Sequence, residues 1–336
     1  MTRYFGLAAL LLIIAGTAQA HDETAFVVTA SNAASNQLLV YSPTGVLLRQ
    51  IPTQGQGGVG GNAGGIAQDR DRLAVVNFGS GNVSVFTKGR THGDLRLERV
   101  IPALTSPVSV AFGNDHLYIL TTTHVESHAI DRGGVASTAD GSAALLHADG
   151  SAAQVGVVTG QLIISEKSNA IETVNLNRHG AVAGAATLVA DIPANVNAPF
   201  GLATRGGDAY VTIAHADEIS LVRHDEVLTV TGSGTQHAPC WVTLDGPFLF
   251  SANSPSHSVS RYVVYGQKII QNAAVVATFN GSPTDITYGA GLAAVVDSNG
   301  TVSHLSIFDV DEDGDFGLVG VATINSVATN GVAVIY

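Results

Sequence analysis

Two carboxylates stand where an apolar run of this 336-residue chain gives way to a polar turn: Glu166 after Leu162-Ile163-Ile164-Ser165, and Asp297 after Ala293-Ala294-Val295-Val296. The corresponding place elsewhere is held by Thr29, Asn77, Thr121, Ile213 and Asn253. Asn and Thr there fit the hydrogen bonding of a tight turn. A carboxylate is a poorer turn-former and a useful acid, base or ligand. A second group, Phe200, His237 and Trp241, falls at the starts of other recurring segments, with Cys240 beside the indole and Asp285 in a further segment. An indole at a rim is a stacking platform for a sugar or flat ligand, or a plug packed on its neighbour. His215 follows the run that ends at Ile213.

Other patterns carry less. His124-Val125-Glu126-Ser127-His128 lacks the helical spacing that puts two imidazoles on one face, and no metal site is expected there. Gly55-Gln56-Gly57-Gly58-Val59-Gly60 matches G-x-G-x-x-G, but strand follows it rather than helix, so it reads as a flexible inter-blade loop and not a dinucleotide site. Asp309 to Asp315 has the alternating carboxylates and glycine of a calcium loop, yet position twelve is Gly320 instead of a bidentate glutamate. The same segment reads as a hairpin with an Asp-Gly turn. A G-x-S-x-G elbow is absent from the sequence. His21 as a new N-terminus could ligate copper, but no partner can be nominated. Neither metal nor cofactor is expected.

The elements that would position these groups repeat. A small residue or proline, two variable residues, an apolar residue and a small residue lead through a turn into an apolar strand. Copies start at Ala63, Pro107, Ala152, Pro199, Pro239 and Pro283, about 40–47 residues apart, the period of a four-stranded propeller blade. A seventh copy, Thr329 to Ala333, lies at the C-terminus, whereas Phe26-Val27-Val28-Thr29 is a second strand lacking its partner. The expected fold is all-β: a seven-bladed β-propeller over 21–336, its C-terminal strand completing the N-terminal blade. Strand-one starts and the turns after strand two share one face. That face is the expected mouth.

Arg3, the apolar run Phe5–Ala15 and Ala18-Gln19-Ala20 form a secretory signal over 1–20, cleaved after Ala20. The protein is therefore expected to be secreted or periplasmic. The run is too short to span a membrane, which takes roughly 20 apolar residues. A formal charge of −12 disfavours nucleic acid as a partner. With 46% hydrophobic residues and 38 glycines, stacked sheets with frequent turns are favoured over helices. Cys240 is the only cysteine, which leaves no intramolecular disulfide.

Ser165-Glu166-Lys167, Ala198-Pro199-Phe200-Gly201, Ala238-Pro239-Cys240-Trp241-Val242, Ser251-Ala252-Asn253 and Ser282-Pro283-Thr284-Asp285-Ile286 resemble the lactonase-like seven-bladed propellers. The second strands resemble the YVTN repeat of bacterial extracytoplasmic propellers. That family includes 6-phosphogluconolactonases, which carry Gly-Pro-Arg-His at one inner strand and Asn-Glu-Leu at the end of the next. The matching blade here reads Ala198-Pro199-Phe200-Gly201 and Ile213-Ala214-His215, and Ala153-Gln154-Val155 replaces a pair of histidines. The leading expectation is thus a monomer that binds a small molecule, glycan or protein at its mouth without catalysis. Trp241, Phe200, His215, Asn253, Asp285 and Asn77 would be its ligand-binding residues. The alternatives are a lactone hydrolase using Glu166, Asp297 and His237, and a structural module of the cell envelope.

Overall fold

The computed structural model describes residues 25–189 and 198–336; the signal segment and His21 lie outside them. Seven antiparallel sheets form the ring. Their inner strands are Asn330–Ile335 in blade 1, Ile66–Asp69 in blade 2 and Pro107–Gly113 in blade 3. They continue with Ala152–Val158, Pro199–Arg205, Pro239–Asp245 and Ser282–Gly289 in blades 4 to 7. In blade 3 the outermost position is shared by two short strands, Gly134–Val135 and Gly141–Ala144, both paired with His124–Asp131.

Strand-two side chains are buried on both faces because each blade is sandwiched between two others. Alternation along Phe26–Ala30 shows the division: Phe26 and Val28 pack toward Leu73, Val75 and Phe86 of blade 2. Val27 points the other way, toward Leu292, Ala294 and Val296 of blade 7. A period of two thus fills two seams with one strand.

Closure is as the repeat requires. Phe26 pairs with Ile335, Val27 with Val334 and Val28 with Ala333, and Thr29 Oγ1 donates to the Gly331 carbonyl at 2.6 Å. The Asp309–Asp315 segment is a hairpin between Ser303–Val310 and Phe316–Ile324, as its Asp-Gly turn implied. Asp311 Oδ1 accepts the N–H groups of Asp313 and Asp315, and Arg261 pairs with Asp315 at 2.6 Å.

Inner strands enter the ring irregularly. The pairing register slips between Pro107 and Ser109, Ala152 and Gln154, Pro199 and Leu202, Pro239 and Trp241, and Pro283 and Asp285. A bulge re-aims the residue beside it. Here it brings Gln154, Trp241 and Asp285 to the axial cavity.

Removing Thr329–Tyr336 would strip blade 1 of its inner strand and leave ladder groups unpaired on Phe26–Ala30. The truncated chain is expected to lose its cooperative thermal transition and to aggregate. A truncation that melts with the full chain's midpoint by circular dichroism would show that closure is dispensable.

Candidate functional site

The axis holds a cavity in two parts that share Gly64, Ile66, Gln154, Leu202 and Thr204 as walls. One part, about 320 Å³, is lined further by Trp241, Asp285, Val332, Thr243 and Thr287. The other, about 430 Å³, extends past Ala67 and Ala111 to Gly113 and Asn114. Volumes of this size suit a small ring compound.

Asp285 is the carboxylate of this cavity. It is 7% exposed, and its Oδ1 accepts the Ile286 N–H at 2.8 Å. Burial pushes the carboxyl up to about 7, against the N–H groups of Ile286 and Val332, which favour the ionised form. The wall three blades away carries Gln154. Its Oε1 accepts the Leu202 N–H at 2.7 Å, which leaves the amide nitrogen beside Gly64. Thr204, Thr243 and Thr287 add hydroxyls along the wall. Arg, Lys and His are absent among the described lining residues.

The face expected to be the mouth is covered by the glycine-rich segment. Asn62 sits over the axis: its carbonyl accepts the Trp241 indole N–H at 3.1 Å, its Nδ2 donates to Val108, and Asn330 donates to its Oδ1 at 2.8 Å. The Ala63 N–H reaches the Ala153 carbonyl at 3.1 Å, and the Lys167 ammonium donates to Gly61. Gly57 and Gly58 donate to the backbone of Ala33 and Asn32. A Cβ at Gly57 would run into Asn32, and one at Gly65 into Asn330. The Gly55–Gly60 stretch is an inter-blade loop as read, held to blade 1 through Asn32 and Ala33, and the residues that follow it, Gly61 to Ala63, reach blades 1, 3, 4 and 6 and seal the axis.

Of the residues singled out in the sequence, the structure gathers Trp241, Phe200 and Asp285 near the axis. The Phe200 and Trp241 rings meet edge to face at 5.3 Å. Trp241 is a plug rather than an open platform. His237 and His215 stay on the outer surface of that face; His237 Nδ1 lies 2.8 Å from Asp217. Cys240 is half-buried, and burial pushes its thiol up to about 12.

The strand-two ends do not line the cavity, contrary to the placement of Glu166 and Asp297 beside an axial channel. Strand two is second from the axis, and its end faces strand three. Asn77 donates to Asn82 and Ser84 while its Oδ1 accepts from Asn36 and Thr53. Asn253 donates to Ser258 and Ser260. Asp297 lies 3.2 Å from His304 Nδ1. Glu166 is fully buried beside Glu172, whose carboxylate accepts the N–H groups of Leu146 and His147. Neither Glu166 oxygen meets a donor among the described residues. Burial and then the Glu172 charge push the Glu166 carboxyl up to about 9.

Gln154, Thr204, Thr243 and Thr287 were missed as site residues. Their signal was available for three of them: Gln154 holds the third place of the recurring segment and Thr243 and Thr287 the fifth, whereas Thr204 lies one residue beyond it. In the His124–His128 segment, His128 Nδ1 bonds the Ala136 carbonyl and its Nε2 lies 3.7 Å from Glu126 Oε2, while His124 lies apart beside Thr123. Among the described residues no group of three or more His, Cys, Asp or Glu could hold a metal ion.

No protein-family model matches the chain, and no curated protein matches it in sequence. Solved structures do. A protein from Bacteroides uniformis assigned as a 6-phosphogluconolactonase superposes with a TM-score of 0.67 at 14% identity, over 94% of this chain and all of that one. The periplasmic gluconolactonase of Pseudomonas aeruginosa gives 0.65 at 14% identity, over 93% and 98%. Virginiamycin B lyase of Staphylococcus aureus gives 0.55 at 14% identity, over 85% and 93%. The shared fold is the seven-bladed propeller of lactonases. The expectation of a binding propeller without catalysis is corrected on these likenesses, since proteins named as lactonases stand among the solved neighbours.

The Glu166 carboxyl has a folded value above its ordinary 4.5, so its effect on stability has a definite sign. Its contribution is fully present below about 4.5 and is lost as pH rises through about 9. Glu166→Gln keeps the shape without the titration. Its melting temperature is expected to fall less than wild type's between pH 5 and pH 9. Parallel curves for the two proteins would show that Glu166 does not resist ionisation.

Proposed function

We propose that this protein hydrolyses a small uncharged lactone inside its axial cavity, with Asp285 as general base. The carrying observation is a carboxyl held at about 7 in the wall of a ring-sized cavity, within a fold that named lactonases use. A base near neutrality combines a populated ionised form with useful proton affinity.

The ionised Asp285 takes a proton from a water as that water's oxygen attacks the lactone carbonyl carbon. The Gln154 amide N–H stabilises the charge that develops on the carbonyl oxygen. The ring C–O bond then breaks, and Asp285 returns the proton to the departing alkoxide, giving a hydroxy acid. The new carboxylic acid gives up its proton to water, and the resulting carboxylate beside an ionised Asp285 is favoured to depart.

The lining supports an uncharged substrate. A phosphate on the ring would need a cation or clustered N–H donors, and the described walls offer threonine, glutamine, aliphatic side chains and one acid. The signal segment supports action outside the cytoplasm, in periplasm or medium, and the closed ring needs no second copy.

Asp285→Asn retains an oxygen for the Ile286 and Val332 N–H groups and removes the base. With glucono-δ-lactone and related uncharged lactones as probes, this variant is expected to keep its melting curve and lose about 10²–10⁴ in kcat/KM. In wild type, kcat/KM should rise through about pH 7 and level off, because the ionised carboxylate is the working form. A variant with wild-type turnover would remove Asp285 from the reaction, and inactivity of the intact protein on every lactone tried would remove the hydrolase reading.

A further inference from the structure

The inner strands grow more exposed in one direction. From their starts toward the turns that lead into strand two, burial relaxes along Pro107–Gly113, Pro239–Asp245 and Ser282–Gly289, whose last three residues are all half-buried. The cavity follows the same direction, bounded by Leu244 and Thr287 in one part and by Phe112, Gly113 and Asn114 in the other. At the opposite end stand Trp241, its ring against Phe200, and Asn62 bonded to blades 1, 3 and 6. Opening that end requires giving up these bonds together with the Ala63–Ala153 bond and the Lys167 contact to Gly61.

We infer that the axial site is loaded and emptied through the face of the strand-one-to-strand-two turns, opposite the face carrying His215 and His237, and that Trp241 is its floor. Trp241 is then a specificity-determining residue: it sets how deep a ring compound can sit relative to Asp285, one blade away on the same wall. The identity of the ligand rests on the hydrolase reading; the route does not, because it follows from where the cavity is open. Substituents on a bound lactone would point toward Thr204, Thr287 and Asn114 and away from the glycine-rich segment.

The route can be measured without turnover. Thr243→Cys places a thiol in the cavity wall, against a native Cys240 whose thiol is pushed up to about 12 and so is almost wholly protonated at pH 7.5. Labelling by methyl methanethiosulfonate, followed by mass spectrometry, is expected to proceed in the folded protein. Adding Thr204→Trp, which narrows the open side, should slow it at least tenfold. Adding Gly60→Trp, on the outer surface of the seal where a side chain meets nothing within 4 Å, should leave it unchanged. Adding Trp241→Ala to the Thr204→Trp protein should restore labelling by removing the floor. Should Thr204→Trp fail to fold, Ala67→Phe narrows the other part of the cavity and serves the same purpose. Slowing by Gly60→Trp with no effect of Thr204→Trp or Ala67→Phe would place the opening on the glycine-rich face and overturn the inference. Labelling that follows the expected order in a protein inactive on lactones would sustain the route and reject the hydrolase reading, so the two fail separately.

Discussion

The bulge at the start of the inner strands of blades 3 to 7 is the constraint on which the axial site depends. A bulge takes a backbone N–H out of its own ladder, and a buried N–H without an acceptor costs about 1–3 kcal/mol. The structure answers across the seam between blades. The Val110 N–H goes to the Gly64 carbonyl, that of Val155 to Ser109 Oγ at 3.3 Å, and that of Leu202 to Gln154 Oε1. Asp285 receives the Val332 N–H in the same way. In blades 4 and 7 the third residue of the segment, Gln154 or Asp285, is thus an acceptor for the next blade and at the same time a group presented to the axis. Trp241 breaks the rule, because an indole has no acceptor. Ile286, the residue after the seam it faces, turns its N–H to Asp285 instead. Asp285 therefore serves two N–H groups, its own blade's and blade 1's.

That double service explains why a carboxyl can stand there and remain chemically useful. Burial alone favours the neutral acid, and two N–H donors favour the anion. The balance leaves the group at about 7, able to change charge under ordinary conditions. Glu166 shows the other outcome. It is buried with an ionised neighbour and without donors, so it stays a neutral acid filling space between strands. Glu172 beside it takes the donors, and by accepting from Leu146 and His147 it fixes the crossing that leads into blade 4. Ser84 does the same for blade 2 by donating to the Thr53 carbonyl. Strand three is thus the anchor of the inter-blade crossings, while strand one is the surface that meets a ligand.

Much of the fold was legible because packing on both faces leaves an unmistakable trace. Apolar strand-two runs ending at Asn77, Thr121, Glu166, Ile213 and Asn253 match the observed strand ends, and the seventh copy at Thr329 foretold the closure with Phe26–Ala30. The site was less legible, for a geometric reason. Polar residues at the ends of apolar runs are conspicuous in sequence, but they satisfy one another between strands two and three. The residues that reach the axis occupy places where Gly65, Ser109, Gln154, Gly201, Trp241 and Asp285 share no property. Asp285 was selected for its carboxylate; Gln154 was seen only as a replacement for histidine. A string of glycines announces close backbone approach, yet only the closed ring shows that the approach is across the axis.

The seal and the acid belong to one arrangement. A channel open at both ends would hold a continuous column of water, and water around Asp285 would return its carboxyl to the ordinary range by solvating the charge. Closing one end makes the cavity a blind pocket in which only a ligand's own surface and a few waters face the carboxyl. Trp241 contributes bulk from blade 6, and Asn62 pins it from the other side of the ring, so the closure draws on widely separated blades. Ring closure between Phe26–Ala30 and Asn330–Ile335 brings Asn330 to Asn62, and with it the last polar partner of the seal. The contact that completes the ring therefore also helps to shut the pocket, and the chemistry of Asp285 depends on a strand at the far end of the chain.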